Sequence, residues 1–477
     1  MTIGRRRVIG AGLAAAANAA LAPRFGWAVT DARPLVNDVT LLNPVRVGRI
    51  AVPRTTQEVR RLIEEWPGAI SIGGARYSMG GQIAAEDSLH LDMRQMKRLV
   101  AFDPAGGIVR VQAGMRWRDL QALIDPHDLA VKIMQSSANF TIGGAVAVNA
   151  HGRYVGAGPL INSVRSLQLV TAAGAIVEAS PTQNAELFHA AIGGYGGIGV
   201  ITEVELELVA NAKLERRLAR MALVDYPAFF DREIRGRANA ILHNANLAPP
   251  ALAEALAVTW FETDKPPTIA KRLQAAGQED PLQAGLVWAL AELPAAGFLR
   301  REIVEPIERW GHPVVWRNHE ASFDVASLGR IATPAHTYAL EEYFIPVAAF
   351  ADFAREMSRI LGRERVHAVN VSIRHAPADP GSFLAWARAE VFSFVLYYRQ
   401  RVTRDAQMQV GEWTRRLIDA ALALGGTYYL PYQLHATSAQ FARAYPGATT
   451  FFAIKARVDP TNRFRNLLWE KYRRASL

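Results

Sequence analysis

The stretch IGGARYSMGGQ, residues 72–82, places four glycines among eleven residues directly after AIS, a short apolar run with strand character. Glycine admits positive φ and close backbone approach, so a loop of this kind turns several N–H groups onto a phosphate. The alternative is a tight turn between two strands. Two more clusters pose the same question further on, FTIGGAVAVNAHGR at 140–153 and IGGYGGIGVITEVELE at 192–207.

Around these loops the chain reads as alternating helix and strand. TTQEVRRLIEEW predicts a helix with Thr55 as N-cap, Glu58 as the second half of a capping box, and Val59, Leu62, Ile63 and Trp66 on one face, stopped by Pro67 and Gly68. IVRVQAG reads as a strand, and WRDLQALI as an amphipathic helix through Trp117, Leu120, Leu123 and Ile124. LQLVTAAGAIVEAS reads as a hairpin turning at Gly174. In VITEVELELV, Val200, Val204, Leu206 and Leu208 point inward, and Glu203, Glu205 and Glu207 outward. Beyond about Ala210 the texture shifts to longer helical stretches rich in alanine and arginine, with strand-like runs returning at TYALEEYFIP and VHAVNVSIRHA.

A fourth glycine pattern, GAGLAA at 10–15, competes as a dinucleotide fingerprint. That motif needs a full strand before it and an acid on a second strand about 20 residues on. Only Val8 and Ile9 separate it from Arg5, Arg6 and Arg7, and the path to Asp31 runs through Pro23 and Gly26 with no strand. A basic start, the apolar run Val8–Ala22 and the small residues Gly26 and Ala28 instead resemble a twin-arginine export signal over 1–28. The run is too short to span a membrane, which takes about 20 residues. The expected location is therefore the periplasm or the exterior, with no transmembrane span.

With 477 residues, half of them apolar and 21% charged, the chain has length for two or three domains. The formal net charge is +10, of which Arg5, Arg6, Arg7 and Arg24 supply four. No basic stripe interleaved with aromatics appears, so no nucleic-acid partner is expected. Cysteine is absent, which excludes disulfides, iron–sulfur clusters, thiolate zinc sites and cysteine nucleophiles. The eleven histidines show no HExxH spacing, and no metal is expected. Redox chemistry would then use an organic cofactor or, as the weaker branch, a metal held by histidine and carboxylate.

The three glycine clusters, with VDPTNRFRN in the tail, resemble in order the FAD-binding PCMH-type flavoproteins of the vanillyl-alcohol oxidase superfamily. Within it the chain looks nearest to the sugar, alditol and aldonolactone oxidases and to decaprenylphosphoryl-ribose oxidase. The resemblance implies an α+β fold: a two-subdomain FAD-binding domain over 36–210, a cap or substrate domain with an antiparallel sheet and flanking helices over 211–425, and a C-terminal return to the FAD domain over 426–477. It implies that Gly73, Gly74, Ala75, Arg76, Tyr77 and Ser78 cradle the FAD pyrophosphate. Thr141, Gly143, Gly144, Asn149, His151 and Gly152 would line the phosphates and flavin, with Ile201 at the adenine end, although Ile201 also reads as plain strand core. On their own chemistry, Ser78, Thr141 and Asn149 can donate hydrogen bonds. Many members bond the flavin covalently through a histidine just before the loop serine; here that position is Tyr77, and the cysteine for a second linkage is absent, so FAD is expected to be noncovalent.

On the substrate side, VNVSIRH puts Asn370, Ser372 and Arg374 on one strand face and Val369, Val371 and Ile373 on the other. In related oxidases such a strand ends in an arginine next to the flavin, which Arg374 resembles; the alternative is a surface arginine. Tyr432 and Gln433 stand where the resemblance would put a tyrosine and lysine, so substrate identity does not carry over. His435 is the nearest candidate base and Tyr432 a hydrogen-bonding partner. The expected activity is oxidation of a CH–OH group in a small-molecule sugar, alditol, lactone or related alcohol by hydride transfer to flavin N5, with oxygen or an unknown acceptor taking the electrons. The alternative is a noncatalytic exported protein that binds an anionic ligand.

Overall fold

Thr55 caps the helix Thr56–Glu65 by accepting from the Glu58 N–H. Glu58 itself reaches the Arg54 N–H at 2.7 Å, one residue before the position a full capping box requires. Val59 and Ile63 are buried on its inner face. In the computed structural model, which describes residues 32–277, 312–324 and 335–473, this helix packs against the first of three sheets. The proposed export segment over 1–28 lies outside the described residues.

Residues 34–477 form one compact unit. It opens with a short antiparallel pair, β1 (Leu35–Val36) and β2 (Val45–Arg46). The first sheet is parallel, with β5 (Leu89–Asp92) between β3 (Arg49–Ala51) and β4 (Ile70–Gly73). The second contains β6 (Leu99–Asp103), β7 (Ile108–Gln112), β8 (Leu129–Val131), β9 (Val164–Val170), β10 (Ile176–Ala179) and β11 (Val200–Ala210), in the order β10-β9-β11-β7-β6 with β8 also on β11. The β9–β10 hairpin turns at Gly174 with φ +80°. Along β11, Val204, Leu206 and Leu208 are buried, and Glu203, Glu205 and Glu207 lie at least partly open to solvent. A register shift between Ile201 and Glu203 interrupts the alternation near the cluster at 192–199. In the helix Trp117–Ile124, Trp117, Leu120 and Ile124 are buried, but Leu123 is exposed.

Among the described residues beyond 210 a sheet dominates, where the sequence texture predicted longer helices; residues 278–311 and 325–334 of that texture lie outside the described residues. Eight antiparallel strands follow the order β15-β12-β14-β13-β17-β18-β16-β19: β12 (Lys213–Ala222), β13 (Ala240–Leu247), β14 (Glu254–Glu262), β15 (Val314–Trp316), β16 (His336–Pro346), β17 (Ala368–Ala376), β18 (Val391–Arg401) and β19 (Thr427–Tyr428). Alanine-rich segments such as EALAVTWFE have little intrinsic strand preference; burial between neighbours decides them. Two long helices, Phe350–Arg363 and Arg404–Ala423, cover one face with Phe353, Met357, Leu417 and Ile418. The opposite face carries the polar residues of β17. No helix among the described residues is long and apolar enough to cross a membrane.

The tail returns to the first sheet. Ile70 donates to Arg463 O and accepts from Arg465 N, making a parallel bridge at Phe464. Lys455 is buried and donates to Asp459, Gly197 O and Phe464 O, so that one ammonium joins tail and glycine cluster. The motif VDPTNRFRN is the segment that makes this closure.

Candidate functional site

A cavity of about 600 Å³, counted to its open mouth, runs between the first two sheets. Gly74, Ser78, Thr141, Gly143, Gly144 and Ile201 all line it, and Val148 and Tyr195 lie on its wall as well. The three glycine clusters, far apart in sequence, therefore meet at one space.

The loop after β4 has the form of an anion cradle. Arg76 lies in the left-handed region at φ +65°, and the N–H groups of Ala75, Arg76, Tyr77 and Ser78 donate to no acceptor among the described residues. Successive N–H groups around such a residue form a concave nest for phosphate oxygens. Gly74 is required by contact: a Cβ there would stand 2.2 Å from Thr141 Oγ1. At Gly143 a Cβ would meet Ala113 Cβ at 2.6 Å. Free amides, main-chain walls and apolar sides fit the pyrophosphate and rings of FAD.

The remaining predicted cofactor residues lie behind or beside the cavity lining and do not form its wall. Gly73 ends β4 above the His90 ring, which burial holds neutral down to about 4. Arg76 directs its guanidinium to Asp92 at 3.3 Å. The Tyr77 ring lies 4.7 Å from that of Phe140, tilted by 50°. Asn149, expected to face the phosphates, spends its amide elsewhere: Nδ2 donates to Asp379 at 2.7 Å and Oδ1 accepts from Ile161 N. Gly152 lies against Met134 O, where a Cβ would come within 2.1 Å.

His151 leads to the second half of the site. Its ring lies among Trp386, Phe344 and Tyr429, and its Nε2 is 2.7 Å from Glu342 Oε1; the two side chains are 4% and 2% exposed. Tyr432 donates to Glu342 Oε2 at 3.2 Å. Burial alone would raise the Glu342 carboxyl, but His151 and the nearby Arg374 outweigh it and hold the group below its ordinary value. Arg374 is lowered by burial and raised back by Glu342. Its guanidinium makes no hydrogen bond among the described residues, and Nε is shielded from solvent without a partner. Burial and Glu342 together push the Tyr432 hydroxyl well up, so it remains a proton donor.

This polar cluster adjoins the cavity. Tyr429 donates to the carbonyl of Val148, a cavity residue, at 2.8 Å, and its ring lies 5.8 Å from that of Tyr432. Gln82, on the cavity wall, donates to both Leu430 O and Tyr432 O at 2.7 Å. Arg374 and Tyr432 are thus brought together, whereas His435 has other neighbours. Its ring abuts Gly411, and burial with Lys471 and Arg415 lowers it to about 3. No described contact joins it to Glu342, Arg374 or Tyr432.

Glu342 was not singled out from the sequence. A signal existed: TYALEEYFIP carries two adjacent carboxylates in an otherwise apolar strand, so each face must bury one. Its partner His151 lies in the loop after the helix Ile142–Ala147, almost two hundred residues earlier, and only the fold joins them.

Residues 48–180 match the model of an FAD binding domain. The L-gulonolactone oxidase of Bos taurus is 31% identical over 166 residues, covering 34% of this chain and 38% of that protein. Decaprenylphosphoryl-beta-D-ribose oxidase of Mycolicibacterium smegmatis is 31% identical over 39% of this chain and 38% of its own length. These matches thus span well under half the length of either relative. An alditol oxidase of a Streptomyces species is 24% identical over 87% of this chain and 93% of its own. The chain therefore carries a PCMH-type FAD-binding domain in an α+β fold.

Proposed function

We propose that this chain, built on an FAD-binding domain, oxidises a CH–OH group of a sugar, alditol, lactone or related alcohol. Bound FAD supplies the acceptor for the hydride. The protein binds, orients and handles protons. Arg374 offers its unpaired N–H groups to the substrate oxygen and stabilises negative charge that builds there. Tyr432 holds the same oxygen by a hydrogen bond and, through its contact to Glu342 Oε2, gives the departing hydroxyl proton a path to a carboxylate. His151 fixes that carboxylate from the other side. The observation that carries the reading is an ionised, partly enclosed guanidinium with no hydrogen bond among the described residues, set beside Glu342 and Tyr432 at the end of the cofactor cavity.

The purified protein should be yellow, with a flavin spectrum that bleaches when alditols, sugars or lactones are added without air. Absence of flavin would favour the rival reading, a noncatalytic binder of anions. Flavin that no alcohol in the panel bleaches would also overturn the proposal. Noncovalent attachment is supported by Tyr77 and by the absence of cysteine; FAD should then leave the polypeptide on acid precipitation, and flavin retained in the pellet would contradict it. Export rests on Arg5 and Arg6, and changing both to Lys should trap the protein inside the cell.

A further inference from the structure

The eight-stranded sheet has one apolar face and one polar face, and the polar face offers more hydrogen-bonding groups than the fold uses. Ala245, Leu247, Val371 and Ile373 are fully enclosed on the first. On the second, the register sets Asn246 opposite Ser372, Ser372 opposite Val395, and Val395 opposite Glu342, in one row across four strands. The neighbouring row aligns Arg374 with Ser393, and the row on the other side aligns Asn370 with Tyr397. Asn370 Nδ2 donates to Asn246 Oδ1 at 3.3 Å. Asn370 Oδ1 is shielded from solvent without a partner, and Asn246 Nδ2 and the Ser372 hydroxyl have none among the described residues. A polar atom shielded as Asn370 Oδ1 is ordinarily pairs with protein, water or ligand, and the two half-exposed groups beside it are open to the same ligand.

This strip is longer than the oxidation chemistry needs. From Arg374 to Asn370 it runs about 13 Å along β17 at the usual strand rise, the length of two sugar rings. Each amide both donates and accepts, as a sugar hydroxyl does. At the outer end the Tyr397 ring stacks on Tyr338 at 5.4 Å, and an aromatic face carries the negative potential that the C–H face of a sugar ring meets favourably. Glu342 already balances the charge of Arg374, and at this end of the strip that favours a neutral ligand over an anion.

We propose that this polar face is an extended carbohydrate subsite: the unit to be oxidised lies at Arg374 and Glu342, and the next unit of a neutral disaccharide or longer glycan lies on Asn246, Asn370 and Tyr397. The proposal rests on the alcohol-oxidation reading above and adds the size of the substrate.

Calorimetry on the FAD-loaded protein, held reduced under argon so that no alcohol is consumed, tests it with sorbitol, maltitol and cellobiitol. At least one of the two disaccharide alditols should bind tenfold or more tightly than sorbitol. Asn246→Ala and Asn370→Ala should each remove most of that advantage and leave sorbitol within twofold. Sorbitol binding with no gain for either disaccharide, or a gain that both variants retain, overturns the subsite and leaves the oxidation reading intact. Failure of all three to bind overturns both.

Discussion

Arg374 shows how far one residue can be read before the fold is known. The two-residue period put it on a polar strand face with Asn370 and Ser372, and that is where it lies; its exposure and charge partner came only from β16 and β18. Glu342 stayed hidden because its chemistry comes from His151 and Tyr432, which are remote in sequence. Arg374→Ala should slow flavin reduction by about two to three decades, some 3–4 kcal/mol in the barrier, as for one lost oxyanion donor, while FAD content stays unchanged. Arg374→Lys should recover little, because a point charge cannot reproduce the planar fork. Stopped-flow reduction of Arg374→Ala within threefold of the parent rate would return this arginine to a surface role. Glu342→Gln keeps the shape and removes the charge. It should slow reduction, since Arg374 would lose its counter-ion.

At the scale of elements, the glycine loops were readable because backbone geometry restricts them to few residue types. Gly74 illustrates the constraint. Thr141, whose Oγ1 a Cβ would meet at 2.2 Å, is buried, β-branched and at the N-cap of the helix Ile142–Ala147, so it has little freedom to yield. Gly74→Ala should therefore force the two cavity walls apart and weaken FAD binding at least tenfold, measured by fluorescence of FAD released on dialysis. Gly362→Ala is the control: nothing lies within 4 Å of its Cβ position, and it sits in a long helix. That change should leave FAD binding alone and raise stability by about 0.5–1 kcal/mol. Equal FAD affinity in both variants would mean that the loop is not a cofactor wall. The strands of the eight-stranded sheet were the harder elements to see, because β12, β13 and β14 carry alanine, arginine and asparagine in place of a β-branched alternation.

For the molecule as a whole, the tail closure was visible in VDPTNRFRN, but the strand order of the eight-stranded sheet was not, since β13 pairs with β17 more than a hundred residues away and no local pattern encodes such a partner. Assembling these layers buries ionisable groups whose protonation opposes one another, and this sets the acid stability. His90 is enclosed beside Gly73, Ser71 and Arg76, and His243 lies between the Tyr226 and Thr259 hydroxyls; burial lowers them to about 4 and about 3. Between those values and an unfolded value near 6.5 the unfolded chain holds the extra proton, so stability is lost as pH falls through this window, at up to about 1.4 kcal/mol per pH unit for each ring. Glu341, on the helix-covered face near the Tyr343 and Tyr398 hydroxyls, has the opposite sign. Burial raises its carboxyl well above the ordinary value, so the folded state holds that proton and is favoured as pH falls towards the unfolded carboxyl value. The absolute slope is thus a difference, and the variants separate it. Urea midpoints measured from pH 7 to pH 5 should fall less steeply in His243→Asn and more steeply in Glu341→Gln than in the parent. Parallel slopes in all three proteins would show that neither group titrates differently on folding.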